Sequence, residues 1–354
     1  MNAAEHLHEL GQSIWLDNIT RGMLDKGTIQ QYIDDFAVTG LTSNPTIFEK
    51  AISDGDLYDK DIRDKTAAGK SSEGLFFELA LADLGRAADL FLPIHRATNG
   101  VDGWVSLEVS PMLVNDTAAT IRQAKELHDR AQRANLFIKI PGTPAGVKAI
   151  EETIFAGIPV NVTLLFSREQ YLAAAEAYMR GLERRLEAGL DVKVGSVASI
   201  FVSRWDVAVK DQVPATMANT LGIATSLRSY KAYRELLASA RWRKLADAGA
   251  EPQRLLWAST GVKDPAAKDT LYMASLAAPN TVNTTPDKTL LAFADHGVVN
   301  GSMPADGGDA EKTLKAFAEV GIDIDALALQ LQREGAESFT KSWTDLMNKI
   351  ASKG

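Results

Sequence analysis

The amino-acid sequence predicts an α/β protein: a closed (β/α)8 TIM barrel with additional helices between its second and third strands and at its C-terminus. Three observations carry this expectation. Eight short apolar runs read as strands. Amphipathic helical stretches separate most of them, the rhythm of repeated βα units around a parallel sheet. No glycine fingerprint of the dinucleotide-binding kind follows the first run, which disfavours an open doubly wound sheet. At 354 residues the chain fits one large barrel with additions.

The strand candidates are Ser13–Asp17, Gly40–Asn44, Trp104–Val109, Leu136–Ile140, Pro159–Leu164, Val194–Val202, Arg254–Ser259 and Thr281–Thr284. Each is rich in β-branched or large apolar residues and is bounded by turn formers. Helical periodicity falls at Glu73–Leu92, Asn115–Arg133, Ala145–Phe155, Ser167–Ala188, Ser203–Ala218 and Ser226–Ala248. Asp54–Leu92 is a helical excursion between the second and third strands. Beyond the eighth, Asp309–Val320 and Ile324–Ile350 read as helices, the last apolar enough to pack back on the body. Residues 1–354 are therefore expected to form one barrel domain, with 305–354 a helical extension packed on it.

Composition narrows the function. Hydrophobic residues make up 45% and charged residues 24% of the chain, as in soluble globular proteins. A net charge of −8 argues against general binding to nucleic acid or anionic membranes. No apolar run approaches the roughly 20 residues that span a bilayer, and Met1 to Gly11 lacks the features of a signal peptide. Cysteine is absent, which rules out thiolate chemistry and cysteine metal sites and suits a reducing cytoplasm. The five histidines (His6, His8, His95, His128 and His296) show no metal-ligand spacing, so no metal is expected.

The stretch Asn135-Leu-Phe-Ile-Lys-Ile-Pro-Gly-Thr143 places one lysine inside an apolar strand. Lysine is almost never buried without a partner or a task. Burial favours the neutral amine, which attacks carbonyls to form a Schiff base. The other reading is a lysine that snorkels at a strand end or pairs with a buried carboxylate. Alternation along the strands sets an aliphatic face against a polar one that carries Asp17, Asn44, Glu108, Lys139, Asn161, Thr163, Ser199 and Ser259, mostly near strand C-termini. Barrel enzymes place their chemistry at that end. Each residue also has a structural reading. Asp17 could cap a helix, Asn44 could start one, Asn161 and Thr163 could bond each other, and Ser199 could be packing.

A lysine iminium is an electron sink for carbon–carbon cleavage beside a former ketone. Glu108 could act through a water on carbinolamine formation and breakdown, and Asp17 could move the hydroxyl proton during bond cleavage. Asn44 and Asn161 could hold hydroxyls. Arg204, just past the sixth strand, suits a phosphate at the barrel mouth, or is a solvated charge in a first helical turn. Lys263, after the seventh strand, is a further phosphate candidate or a loop charge.

The segments GLTSNPTIFEKAI (40–52), VSLEVSP (105–111), NLFIKIPGT (135–143), IPVNVTLLFS (158–167) and SVASIFVSRWD (196–206) resemble transaldolases, in that family's order. The tail after about Gly301 carries little of the likeness. The resemblance implies a cofactor-free transferase. It would move a dihydroxyacetone unit from sedoheptulose 7-phosphate or fructose 6-phosphate to glyceraldehyde 3-phosphate or erythrose 4-phosphate, in the pentose phosphate pathway. It further implies that Lys139 forms the Schiff base, that Asp17 and Glu108 are the acid–base pair, and that Thr163 partners the catalytic water. Asn44 and Asn161 would bind substrate hydroxyls, and Ser199, Ser259 and Arg204 would contact the sugar phosphate.

Many transaldolases carry an arginine two residues after the serine matching Ser259. Here Gly261 stands there, and Lys263 is the candidate replacement, although a lysine is not a bidentate fork. The related fructose-6-phosphate aldolases typically carry glutamine at Glu108 and tyrosine at Phe201, so both positions favour transaldolase. The competing readings are such an aldolase, which releases its three-carbon fragment, and a non-catalytic sugar-phosphate-binding barrel. Expected partners are sugar phosphates, with no nucleic acid and no membrane, in a cytoplasmic monomer or homodimer.

Overall fold

The computed structural model describes residues 2–354. Eight parallel strands close into a barrel in sequence order: β1 (Gln12–Leu16), β2 (Val38–Leu41), β3 (Val105–Glu108), β4 (Leu136–Pro141), β5 (Val160–Leu165), β6 (Ser196–Phe201), β7 (Arg254–Ala258) and β8 (Thr281–Thr285). β1 pairs with β8 from Gln12 opposite Thr281 to Leu16 opposite Thr285, which completes the cylinder. All eight expected strands are present, with ends shifted by up to three residues. β2 stops at Leu41, so Thr42 and Asn44 lie just beyond it.

Side-chain caps start the surrounding helices where the sequence offers an oxygen. Asn44 caps Pro45–Ser53, Ser71 caps Ser72–Ala97, Asp116 caps Thr117–Ala131, and Thr143 caps Pro144–Phe155. Ser167 and Gln170 form a reciprocal capping box on Arg168–Glu187. Three helical expectations are corrected. The helix expected to end at Leu92 runs through Pro93 to Ala97, because the apolar face continues with Phe91 and Ile94. The stretch 203–218 forms only Ser203–Val209 and a short 3-10 turn at Ala215–Met217, since Pro214 interrupts it. The stretch 226–248 starts earlier, at Leu221, and breaks at Ser239. The Ser239 hydroxyl accepts from Trp242 N and restarts a helix over Ala240–Asp247.

The lower barrel interior is filled. Trp104 stacks on Phe137 at 4.0 Å, and Trp15 lies 6.2 Å from the same ring. Val197, Leu256 and Val282 complete this plug. Beneath it the buried Asp102 accepts hydrogen bonds from Trp15 Nε1 at 2.8 Å and from Ser13 Oγ. Arg254 Nη1 donates to the same serine at 2.7 Å. This aromatic and aliphatic plug fills the barrel below Lys139, and the cavity that reaches the lysine opens towards the strand C-termini.

The helix Ile324–Lys353 packs across the barrel. Trp343 contacts Phe76 and Phe77, with ring centroids 5.1 and 5.6 Å away. Gln332 Nε2 donates to the carbonyls of Gly142 and Leu164 at the ends of β4 and β5. Among the described residues no helix is long and apolar enough to cross a membrane.

Candidate active site

Register builds the centre of the site. Glu108 on β3 lies opposite Lys139 on β4, and Lys139 lies opposite Asn161 on β5. Three inward side chains thus sit at one level of the barrel. Lys139 is 5% exposed; its Nζ lies 3.2 Å from Glu108 Oε2 and donates to the Ser43 carbonyl at 2.9 Å. The carboxylate partner weighed against a catalytic lysine is therefore present. Glu108 is no conventional structural partner, however, because neither of its buried oxygens has a hydrogen bond of ordinary geometry. Burial pushes the Glu108 carboxyl above the usual carboxylate range, and nearby Lys139 pulls it part of the way back.

Asp17 follows β1 directly and does not cap the next helix, whose cap is Thr20. Its Oδ1 accepts from Thr42 Oγ1 at 2.8 Å, and Thr42 Oγ1 lies 2.6 Å from Thr284 Oγ1. Burial raises the Asp17 carboxyl too, while Lys139 and the Thr42 hydrogen bond act in the opposite direction.

Asn161 and Thr163 do not bond each other. Asn161 is fully buried, donates to Ser106 Oγ at 3.1 Å and accepts from Ser199 Oγ at 2.7 Å. Ser199 is therefore a polar partner rather than packing. Thr163 Oγ1 is buried without a hydrogen-bond partner. After Thr163 the strand bulges: Leu164 has φ 58° and the register with β6 shifts between Val162 and Leu165.

Alternation fails on β7. It aligns Trp257 with Ser259, yet Trp257 packs in the core that includes the outer helices, while Leu256 and Ala258 join the cluster inside the barrel. Ser259 has φ 56°, and this left-handed residue resets the direction of the chain. Its hydroxyl lies 2.9 Å from Ser203 Oγ.

A cavity of about 130 Å³ occupies the C-terminal end. Asp17, Asn44, Lys139, Thr163 and Ser199 line its inner part, and Arg204, Ser259 and Lys263 its outer part. Asn161 and Glu108 lie behind this lining. Asn44 Oδ1 is committed to its helix, accepting from Ile47 N at 3.0 Å, while its amide nitrogen has no bond to the described residues. The Arg204 guanidinium lies 5.2 Å from the Phe201 ring and 6.0 Å from that of Phe339. Burial holds Arg204 below its ordinary value, short of neutralising it. A Cβ on Gly261 would lie 3.7 Å from Lys263 Nζ, so the ammonium occupies the region that a side chain at 261 would enter.

Several lining groups escaped the sequence-based list of site residues. Thr42 bonds both Asp17 and Thr284. The partner of Lys139 is the backbone carbonyl of Ser43, which no residue pattern reveals. Phe339 arrives from the C-terminal helix and has no local signal at all.

These inward groups form one acid–base and amine cluster with a cationic outer rim. Comparison with known proteins identifies the family. The family model described as Transaldolase/Fructose-6-phosphate aldolase matches residues 14–350. A protein named transaldolase from Arthrobacter sp. (strain FB24) is 45% identical, over 98% of this chain and 96% of its own length. A transaldolase of Thermobifida fusca (strain YX) is 44% identical over 98% and 97%, and transaldolase 2 of Streptomyces coelicolor is 43% identical over 98% and 95%. The chain belongs to the transaldolase/fructose-6-phosphate aldolase family.

Proposed function

We propose that this protein is a transaldolase, a transferase that moves a dihydroxyacetone unit between sugar phosphates in the non-oxidative pentose phosphate pathway of the cytoplasm. The observation that carries this reading is the placement of Lys139. Its Nζ lies in the barrel interior, 3.2 Å from a buried carboxylate, at the inner end of a cavity rimmed by Arg204 and Lys263.

The chemistry follows from the groups at hand. Lys139, once its ion-pair partner Glu108 has taken its proton, attacks the ketone carbon of the donor, and Glu108 handles the protons of carbinolamine formation and water loss. Thr163 Oγ1, which has no protein partner, orients the water that leaves and later returns. Asp17, held by Thr42, takes the proton of the hydroxyl on the far carbon of the bond that breaks, the carbon that becomes the aldehyde. The aldehyde fragment departs and the three-carbon enamine stays on Lys139. An acceptor aldehyde then enters, Asp17 returns its proton to the new hydroxyl, and hydrolysis frees the product.

Asn44 and Ser199 hold substrate hydroxyls, and Asn161 contributes by orienting Ser199. Arg204 binds the phosphate, with Ser259 beside it and Lys263 in place of the arginine that Gly261 lacks. Glu108 beside the amine and Phe201 on the cavity wall favour transfer over release of the fragment to solvent. Residues 1–354 are read as one domain, a view supported by the packing of Ile324–Lys353 across the barrel.

Borohydride reduction in the presence of fructose 6-phosphate tests the mechanism. Covalent label is expected on Lys139, and label on any other lysine would defeat the assignment. Product analysis tests the transfer: dihydroxyacetone formed equally fast with and without erythrose 4-phosphate would make the protein an aldolase.

A further inference from the structure

The motifs that carry the resemblance leave the C-terminal helix out, but the family match runs to residue 350 and this helix supplies one wall of the site. Gln332, Gly335 and Phe339 are spaced i, i+3 and i+7, so they share one helical stripe. All three meet the mouth of the barrel. Gln332 bonds the carbonyls of Gly142, just past β4, and Leu164, near the end of β5, and so fixes the helix against the strands that carry Lys139 and Thr163. At Gly335 a Cβ would come within 2.8 Å of Leu164 Cδ2 and 3.4 Å of Arg204 Nη1, so the missing side chain lets the guanidinium pass. Phe339, 4% exposed, faces that guanidinium from the next turn and lines the cavity.

Arg204 itself makes no ion pair or hydrogen bond among the described residues. Glu334 acts on its charge from beyond ion-pair distance, while two aromatic rings, Phe201 and Phe339, seat the guanidinium and leave its five N–H donors for an incoming anion. A carboxylate in that position would compete with a phosphate for the same donors. A ring seats the cation without consuming any of them.

We propose that Phe339 is a positioning residue for the substrate phosphate, acting through Arg204, so that the C-terminal helix sets the affinity for phosphorylated substrates. This rests on the reading of Arg204 as a phosphate ligand. The test measures kcat, KM for fructose 6-phosphate and the competitive inhibition constant of inorganic phosphate. Two aliphatic replacements, Phe339→Leu and Phe339→Met, guard against a variant that merely unfolds, and thermal midpoints are recorded for both.

In each, KM and the phosphate inhibition constant should rise together by about 3- to 10-fold while kcat holds, and Phe339→Tyr should restore both constants. Wild-type constants in the aliphatic variants would overturn the proposal. So would a fall in kcat at unchanged KM, or a tyrosine variant no better than leucine. Arg204→Ala runs in parallel and should raise the phosphate constant further. If it does so while the Phe339 variants stay at wild type, only the role of Phe339 falls. If it leaves the constant unchanged, the reading of Arg204 fails as well.

Discussion

Replacing Lys139 by methionine separates the structural part of the lysine from its chemical part. The Glu108 side chain is 3% exposed, its ion-pair partner is the ammonium 3.2 Å away, and no hydrogen bond of good geometry satisfies its oxygens. Without the ammonium, the carboxyl of folded Lys139→Met takes up a proton instead of remaining charged in the interior. Each pH unit is worth about 1.36 kcal/mol, so holding that proton at pH 7 against an unfolded value near 4.3 costs at most about 3.7 kcal/mol. This ceiling agrees with the roughly 3–5 kcal/mol measured when one partner of a buried pair is removed. The sign follows from the raised folded value. Stability is fully present below the unfolded value and is lost as pH rises towards the folded one, so the cost shrinks to about 1 kcal/mol at pH 5. Urea unfolding of wild type, Lys139→Met, Glu108→Gln and the double variant at both pH values gives the result directly. The double variant should recover most of the loss, and neither Lys139→Met variant should trap substrate with borohydride. A loss independent of pH, or a double variant no more stable than Lys139→Met, would refute the claim that this ammonium neutralises Glu108.

Glu108→Gln should lower kcat by about 10²- to 10⁴-fold. The acid limb of the wild-type kcat profile should lie above about pH 4.3, because the raised carboxyl of Glu108 is protonated, and unable to accept a proton, below its own value. Asp17→Asn should lose bond cleavage, followed by single-turnover release of the aldehyde. It should also be at least as stable as wild type at pH 7, since the raised Asp17 value means the charged form weakens the fold above it; the advantage should vanish towards pH 4 in thermal melts. Lys263→Ala should raise KM for sugar phosphates a few-fold at near-constant kcat, the signature of a binding charge. Gly335→Ala should cost about 1–3 kcal/mol by overpacking against Leu164, read as a shift of the urea midpoint.

Period-two alternation was enough to bring Lys139, Glu108, Asn161, Thr163 and Ser199 onto one face, because these residues sit in regular strands whose register is even. It failed where the backbone leaves that regime. Leu164 and Ser259 both have positive φ, and neither is a glycine that would betray the turn. The sequence named Ser259 as a site residue, while the alternation that paired it with Trp257 did not survive. Asn161 lies at the expected position, but its partners, Ser106 and Ser199, come from other strands, and only the closed barrel shows that both ends of its amide are taken. Phe339 was legible only as an apolar residue of a long helix. The residues it meets are more than a hundred positions away, and no local pattern encodes that distance. The helix breaks at Pro214 and Ser239 were written in the sequence, as a proline and a potential cap, but continuous apolar periodicity outweighed them.

Closure of the cylinder by β1 against β8 also constrains how the molecule is made. The Gln12 side chain bonds Thr281, a partner 269 positions downstream. At synthesis rates of about 5–20 residues per second, the first strand waits roughly 13–54 s for the last one to leave the ribosome. Throughout that interval two unpaired edges face the cell, so the nascent chain is open to strand addition from its neighbours. A chain stopped short of Thr281 keeps those edges permanently, and its fate should be insolubility rather than partial activity.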